Sequence, residues 1–204
     1  MIEITVNRNT LGQIETRLGR MQNQAPSVLK NAINQTAKQA RKDLASEAQK
    51  KYTIKNAGFN RAMRLKSASV SNMEAVITAS GAPIPLKNFR VSKAGGQVRA
   101  QVVKSGGLKA LEVGGRRAFV NNIAKKGQKR KKDTAKGSKG TQVKHMAVAQ
   151  RLTDKRLHIK ELYSNSIPIM IGNEDRVYGV VKPHIQDNLQ RNVAYQISKA
   201  LGGL

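Results

Sequence analysis

PSVLKNAINQTAKQARKDLASEAQK, residues 26–50, shows the strongest periodicity in this sequence. Pro26 suits the first turn of a helix, where its missing N–H would have no helical partner. The pattern therefore predicts one helix of 25 residues, about 37 Å long at 1.5 Å per residue. Its small, Ala-rich seam predicts close packing on a sheet or on another helix. The residues that share this apolar stripe are Val28, Leu29, Ala32, Ile33, Thr36, Ala37, Ala40, Leu44 and Ala48.

The N-terminal segment predicts a strand and a shorter helix before this one. Residues 2–6 alternate apolar and polar side chains, as a half-buried strand does. Thr10, with Gln13 three residues later, has the pattern of an N-cap. The helix after it has apolar residues at helical spacing, namely Leu11, Ile14, Leu18 and Met21.

The middle of the chain predicts a sheet. Ten of the 17 glycines lie between positions 81 and 140, and three of their pairs have the spacing of hairpin turns and bulges. We expect a short helix within 53–65 and strands at 66–70, 74–78, 98–104, 118–121, 145–152 and 157–162.

Pro183 predicts the start of a final helix, because its fixed φ suits the first helical turn. Apolar residues follow at intervals of four, and Gly202 and Gly203 end the pattern. These apolar residues are Ile185, Leu189, Val193, Ile197 and Leu201. The fold class we predict is α+β: an N-terminal strand and two helices packed on an antiparallel sheet, with a C-terminal helix, in a single domain over 1–204.

Positive charge dominates the composition. The 204 residues include 38 Lys and Arg and 12 Asp and Glu, a formal net charge of +26. Self-repulsion at this charge predicts a partner that supplies negative charge: nucleic acid, an acidic protein surface or an anionic membrane. The stripe on 26–50 has no Trp or Phe, which favours a core face over a membrane-surface helix.

The sharpest local feature is a basic insert at 124–144. It has nine Lys and Arg and one acidic residue, Asp133, a net charge of +8. We expect a flexible loop inserted in the sheet. Its cations would contact phosphates or an acidic partner without reading sequence. The candidate contact residues are eight of the nine: Lys125, Lys126, Lys129, Arg130, Lys131, Lys132, Lys136 and Lys139.

No catalytic constellation emerges from the sequence. There is no cysteine, which excludes thiol catalysis and Cys-type zinc sites. The three histidines lie in three different predicted elements and lack the HExxH spacing of a zinc site. Adjacent acids occur at Glu174 and Asp175, so a basic nuclease is the alternative left open. We expect no enzyme activity, no metal and no cofactor.

Several segments, in their order and spacing, resemble the prophage minor tail protein Z family, the tail-completion proteins of long-tailed bacteriophages. The resemblance covers most of the chain, and the lysine-rich insert departs from the shorter family pattern. After the long N-terminal helix, it rests on KYTIKNAGFNRAMRLKSAS (51–69), ASGAPIPLKNF (79–89), residues 97–103, RAFVN (117–121), IKELYSNSIPIMIG (159–172) and the closing Pro-initiated helix.

This resemblance implies a structural virion protein rather than an enzyme. Such proteins complete the head-proximal end of the tail and help to form the head–tail junction, or neck, as a hexameric ring around the DNA channel. The implied partners are further copies of the chain, the adjacent tail terminator, tail tube or head-connector proteins, and phage DNA, with no membrane. The implied location is the virion neck, after assembly in the host cytoplasm. The alternative is a free-standing nucleic-acid-binding protein that makes sequence-independent phosphate contacts.

Two proline-containing apolar segments are candidates for subunit or ring interfaces. Proline limits ordinary sheet pairing, so these segments would dock on a neighbouring subunit. Packing within the chain itself is the other interpretation. The candidate residues are Ile84, Pro85, Leu86, Phe89, Ile167, Pro168, Ile169 and Met170.

Overall fold

The computed structural model of the chain describes residues 2–5, 8–55, 58–124, 144–153 and 158–202. It has an α+β fold of helices and antiparallel sheets with a C-terminal helix, as predicted. The chain divides into two compact units. The helical unit comprises 1–51, 57–82 and 166–204, and the β unit comprises 52–56 and 83–165. The division into two compact units does not test the prediction of one domain over 1–204, which stays a prediction.

The helical unit contains the helices and one three-stranded sheet. The strand order in this sheet is β1-β3-β2, and both pairings are antiparallel. Its elements are β1 (Ile2–Thr5), α1 (Arg8–Leu18), α2 (Ala25–Lys51), α3 (Phe59–Ala62), β2 (Met63–Lys66), β3 (Glu74–Ala79), α4 (Ile167–Ile171) and α5 (Tyr178–Ala200).

Helix α2 organises this unit, and its predicted stripe is confirmed. All nine residues of the stripe are buried, including Thr36. The stripe packs against α5, α1 and β3, so the core of the unit lies around a single helix. Helix α2 therefore packs on the sheet, whereas α1 packs against α2 and α5. A polar link crosses this core, because Asn192 Nδ2 on α5 donates to Thr36 Oγ1 at 2.9 Å.

Some predicted element bounds are wrong. Helix α1 begins at Arg8, so Thr10 lies inside it rather than at its N-cap, and a 3-10 turn at Gly19–Gln24 leads into α2. The short helix is confined to Phe59–Ala62. The next strand is Met63–Lys66 rather than 66–70, because pairing of Met63 with Ala79 buries Met63 against the core.

Helix α5 begins at Tyr178, five residues before the predicted start at Pro183. The turn before it already satisfies the first helical N–H groups. The Tyr178 N–H donates to the Asn173 carbonyl at 2.9 Å, and the Gly179 N–H donates to the Glu174 carbonyl at 3.0 Å. Pro183 consequently lies in the second turn of α5 rather than the first, where it removes one helical hydrogen bond.

In the described part of the β unit, short strands form four small sheets. The strand orders are β5-β6-β7, β10-β11-β12, β8-β9 and β13-β4. Its strands are β4 (Pro83–Pro85), β5 (Arg90–Ser92), β6 (Arg99–Gln101), β7 (Lys109–Ala110), β8 (Glu112–Val113), β9 (Arg116–Arg117), β10 (Phe119–Ala124), β11 (Lys144–Arg151), β12 (Ile159–Glu161) and β13 (Tyr163–Ser166).

Glycine pairs mark turns of this unit, as the sequence predicts. Gly114 and Gly115 form the two-residue turn between β8 and β9, with φ of 60° and 72°. Two consecutive positive φ values are the geometry that a type I′ hairpin turn needs, and glycine adopts them without steric cost.

Candidate nucleic-acid interface

Positive charge is concentrated in the β unit. Its 88 residues contain 22 Lys and Arg and 4 Asp and Glu, a net charge of +18. The helical unit contains 16 Lys and Arg and 8 Asp and Glu, a net charge of +8. The described part of the β unit alone has twelve Lys and Arg but only two carboxylates, Glu112 and Glu161. The described carboxylates of the β unit are therefore too few to balance its basic side chains.

Both carboxylates already have partners within the unit. The Glu112 Oε2 atom lies 3.9 Å from Arg117 Nε and accepts a hydrogen bond from Gln97 Nε2 at 3.4 Å. The Glu161 Oε2 atom lies 3.1 Å from His145 Nε2 and 3.0 Å from the Tyr163 hydroxyl. Among the described residues of the β unit, these two carboxylates supply two negative charges against twelve Lys and Arg.

The sheet β5-β6-β7 presents arginines on one face. Arg90 pairs with Gln101, and Ser92 pairs with Arg99. Directly paired residues of antiparallel strands share a face, so Arg90 and Arg99 lie on the same side of the sheet. Both are exposed, whereas Ala100, on the opposite face, is buried. The exposed face can therefore offer two guanidinium groups to an anion.

The hairpin β10–β11 defines where the basic insert joins the fold. Its register runs from Phe119 paired with Ala149 to Ala124 paired with Lys144. The first and last residues of the insert, 124 and 144, therefore lie side by side at one end of the hairpin. This confirms that the insert connects two neighbouring strands of one sheet. The eight predicted contact residues, Lys125, Lys126, Lys129, Arg130, Lys131, Lys132, Lys136 and Lys139, lie outside the described residues.

A polar cluster that the sequence analysis did not find joins β11 to the strands that follow. It consists of His145, Glu161 and Tyr163, held together by the two short contacts to Glu161 Oε2. The side chains of His145 and Glu161 are 24% and 13% exposed. Within the described residues, His145 Nδ1 and Glu161 Oε1 are buried without a hydrogen-bond partner. The contact spans 16 positions of the chain and is made by the side chains, because the register places Ala149 rather than His145 opposite Glu161.

The Glu161 carboxylate changes the acidity of its neighbour. Its hydrogen bond with Tyr163 stabilises the protonated phenol, and partial burial and the negative charge of Glu161 act in the same direction. Together they raise the pKa of Tyr163 above its ordinary value of 10.0. The phenol is therefore protonated at neutral pH and donates a hydrogen bond to the Glu161 carboxylate.

The remaining residues that sequence analysis singled out for chemistry stand apart. His158 and His184 are exposed, as are Glu174 and Asp175 in the turn before α5. Across the described ranges, no group of three or more His, Cys, Asp or Glu residues could hold a metal ion. No helix within those ranges is long and apolar enough to cross a lipid bilayer.

The predicted interface segments are partly used by the fold itself. Ile84, Leu86, Phe89 and Met170 are buried in the chain, with Phe89 and Met170 0% exposed. Packing within the chain, the other interpretation of these segments, accounts for these four residues. Pro85, Ile167 and Pro168 are half-buried. Ile169 differs from the other candidates, because it is 58% exposed and can still meet a partner.

No protein-family model, curated protein or solved structure matches this chain.

Proposed function

We propose that this chain is a structural virion protein that completes the head-proximal end of a bacteriophage tail, as a ring around the DNA channel at the head–tail junction. In this role it has no catalytic centre and no cofactor. Its partners are further copies of itself, the adjacent tail or head-connector proteins, and the phage DNA that passes through the ring.

The observation that carries this proposal is the uncompensated charge of the β unit. This unit has 22 Lys and Arg against 4 Asp and Glu, a net charge of +18. Repulsion between like charges opposes compaction and self-association unless a polyanion neutralises it. Duplex DNA carries one negative charge per roughly 1.7 Å of helix axis, which makes it a dense source of counter-charge.

A ring makes the need for counter-charge larger. Six copies at +26 each would carry a formal charge of +156. Such a ring requires DNA in its channel, acidic faces of neighbouring rings, or both. The ordered set of tail-protein-like segments favours this setting over a protein that coats DNA freely, because the resemblance covers most of the chain.

Native mass spectrometry and electron microscopy test the assembly. We expect the full chain to form a closed ring in the presence of duplex DNA, and an antibody against the chain to label the head-proximal end of tails in phage particles. A monomer that coats DNA along its length, with no labelling of tails, would support a free-standing nucleic-acid-binding protein instead.

The basic insert needs a matched pair of variants. In the first, glutamine replaces the eight predicted contact residues; in the second, the order of residues 125–139 is shuffled, which keeps length and charge. We expect the glutamine variant to lose salt-dependent DNA binding and the shuffled variant to retain it, because phosphate contacts do not depend on sequence. Equal binding by both variants would remove the insert from the proposed interface.

A further inference from the structure

A surface pocket on the helical unit combines three cations with no acidic residue. Its volume is about 260 Å³, and its lining consists of Lys38, Arg41, Lys42, Asn60 and Leu65. The three cations lie at positions i, i+3 and i+4 of α2, so they share one helix face. Asn60, from α3, and Leu65, from β2, complete the pocket.

Arg41 is held in place by a single residue of α3. Its Nε atom donates to Asn60 Oδ1 at 3.1 Å, and its Nη2 atom donates to the Asn60 carbonyl oxygen at 3.0 Å. A guanidinium group has five N–H donors in a rigid plane, so these two bonds leave donors for a ligand. Both acceptors are neutral oxygen atoms of Asn60, so they do not neutralise the positive charge of Arg41.

The two lysines of the pocket are also without a carboxylate partner. Among the described residues, none of the carboxylates lies within 4.0 Å of the amines of Lys38 and Lys42. Asp43 is adjacent in sequence, but its Oδ1 atom accepts a hydrogen bond from Gln39 at 2.8 Å and it does not line the pocket. Like charges at this spacing destabilise a helix slightly, so the grouping of the three cations does not itself stabilise α2.

We propose that this pocket is a phosphate-binding site. A phosphate group carries up to two negative charges and several acceptor oxygens, which suit one planar guanidinium and two mobile ammonium groups. The ligand is either the phosphate backbone of a nucleic acid or a free phosphate compound. This site does not depend on the assignment to a phage tail, and it lies in a different unit from the basic insert.

Two variants of the full chain test the site, and one variant serves as a control. K38Q/K42Q removes two charges from the pocket, whereas N60A keeps every charge and removes the bond from Arg41 Nε to Asn60 Oδ1, leaving the bond to the backbone carbonyl of residue 60. K50Q/K51Q is the control, because it removes two charges from the same helix where both lysines pair with Glu47, at 3.3 and 3.5 Å. All five substituted side chains lie at or near the surface, so circular dichroism should show unchanged folding.

Titration with pyrophosphate, followed by NMR of arginine Nε–H groups, measures free phosphate binding. We expect the Arg41 signal to shift in the unmodified protein. Binding should weaken about tenfold in K38Q/K42Q, because it loses charged hydrogen bonds, and about threefold in N60A, because Arg41 loses one of the two bonds that position it. The control should stay within about twofold.

Binding of a short DNA duplex, measured by fluorescence anisotropy over a range of salt concentrations, identifies the source of the phosphate. For a backbone site, the slope of log affinity against log salt should fall by about 2 in K38Q/K42Q and remain unchanged in the control. A response to pyrophosphate alone would assign the site to free phosphate. Equal effects of K38Q/K42Q and K50Q/K51Q in both titrations would overturn the proposal, because only net charge would then matter.

Failure of this site and failure of the tail proposal are distinguishable. A chain that binds phosphate at this pocket but never enters particles would retain the site and lose the tail role. A chain that forms rings at the neck, but whose phosphate binding is unaltered in K38Q/K42Q, would retain the tail role and lose the site.

Discussion

Replacement of Thr36 by valine should loosen the contact between α2 and α5. The Thr36 hydroxyl is fully buried, donates to the Ala32 carbonyl at 2.8 Å and accepts from Asn192 Nδ2 at 2.9 Å. Valine has nearly the same shape, so T36V removes the polar contacts without opening a cavity. The Asn192 amide is then left half-buried without this acceptor.

The expected cost of T36V is about 1 kcal/mol of unfolding free energy, the usual net value of one such hydrogen bond. N192L should cost a similar amount, because Thr36 Oγ1 then loses its donor. The double variant T36V/N192L should also cost about 1 kcal/mol rather than about 2, since an apolar pair leaves no group unsatisfied. This predicts a coupling energy of about 1 kcal/mol between the two positions.

Urea unfolding followed by far-ultraviolet circular dichroism measures these values, because the described α-helices all lie in the helical unit. The pair Gln35–Gln196 provides the control. Gln196 Nε2 donates to Gln35 Oε1 at 3.1 Å across the same two helices, but the contact is exposed, so Q35A should cost less than about 0.5 kcal/mol. Additive effects of T36V and N192L would refute a specific buried link between the helices.

Three further outcomes follow from the contacts described above. The pKa of Tyr163 should fall in E161Q, as measured by ultraviolet titration against a Y163F reference, and an unchanged titration would contradict this contact. Because the folded-state pKa is raised, the contact stabilises the fold below pH 10.0, and this stabilisation is lost as pH rises through the higher folded-state pKa. F89A should cost about 3–5 kcal/mol in urea unfolding, because the ring is 0% exposed; a small loss would revive Phe89 as an interface residue. I169D should change stability by less than about 0.5 kcal/mol, and if Ile169 forms a subunit contact it should dissociate the assembly in sedimentation velocity.

Periodicity predicted the parts of the fold that depend on one long element. In α2, each apolar position of the stripe is buried, because a helix of this length fixes its own face regardless of its neighbours. The same reasoning placed Ile185 and Ile197 of α5 in the core, whereas Leu201 lies beyond the helix and is 52% exposed. The α+β class followed from the change of period between the helices and the middle of the chain.

Tertiary pairing decided what the sequence could not show. Strand β2 takes its register from β3, so local alternation alone placed it three residues too late. The cluster of His145, Glu161 and Tyr163 depends on side-chain contacts between β11 and the strands that follow it, which no local spacing encodes. The phosphate pocket likewise depends on α3 placing Asn60 beside Arg41, 19 positions away in the chain. Net charge predicted a polyanionic partner but not its place on the surface.

The pairing of Ala124 with Lys144 makes the end of the hairpin β10–β11 a suitable site for inserting foreign sequence. Closure of a loop costs free energy only with the logarithm of its length, so cutting the nineteen connecting residues, 125–143, to four changes that cost by about 1.4 kcal/mol. Even a large change in the length of this connection is therefore expected to alter the free energy of folding by only about 1–2 kcal/mol. A fluorescent reporter or an epitope inserted there would mark the protein in an assembled particle while the strands on either side keep their register.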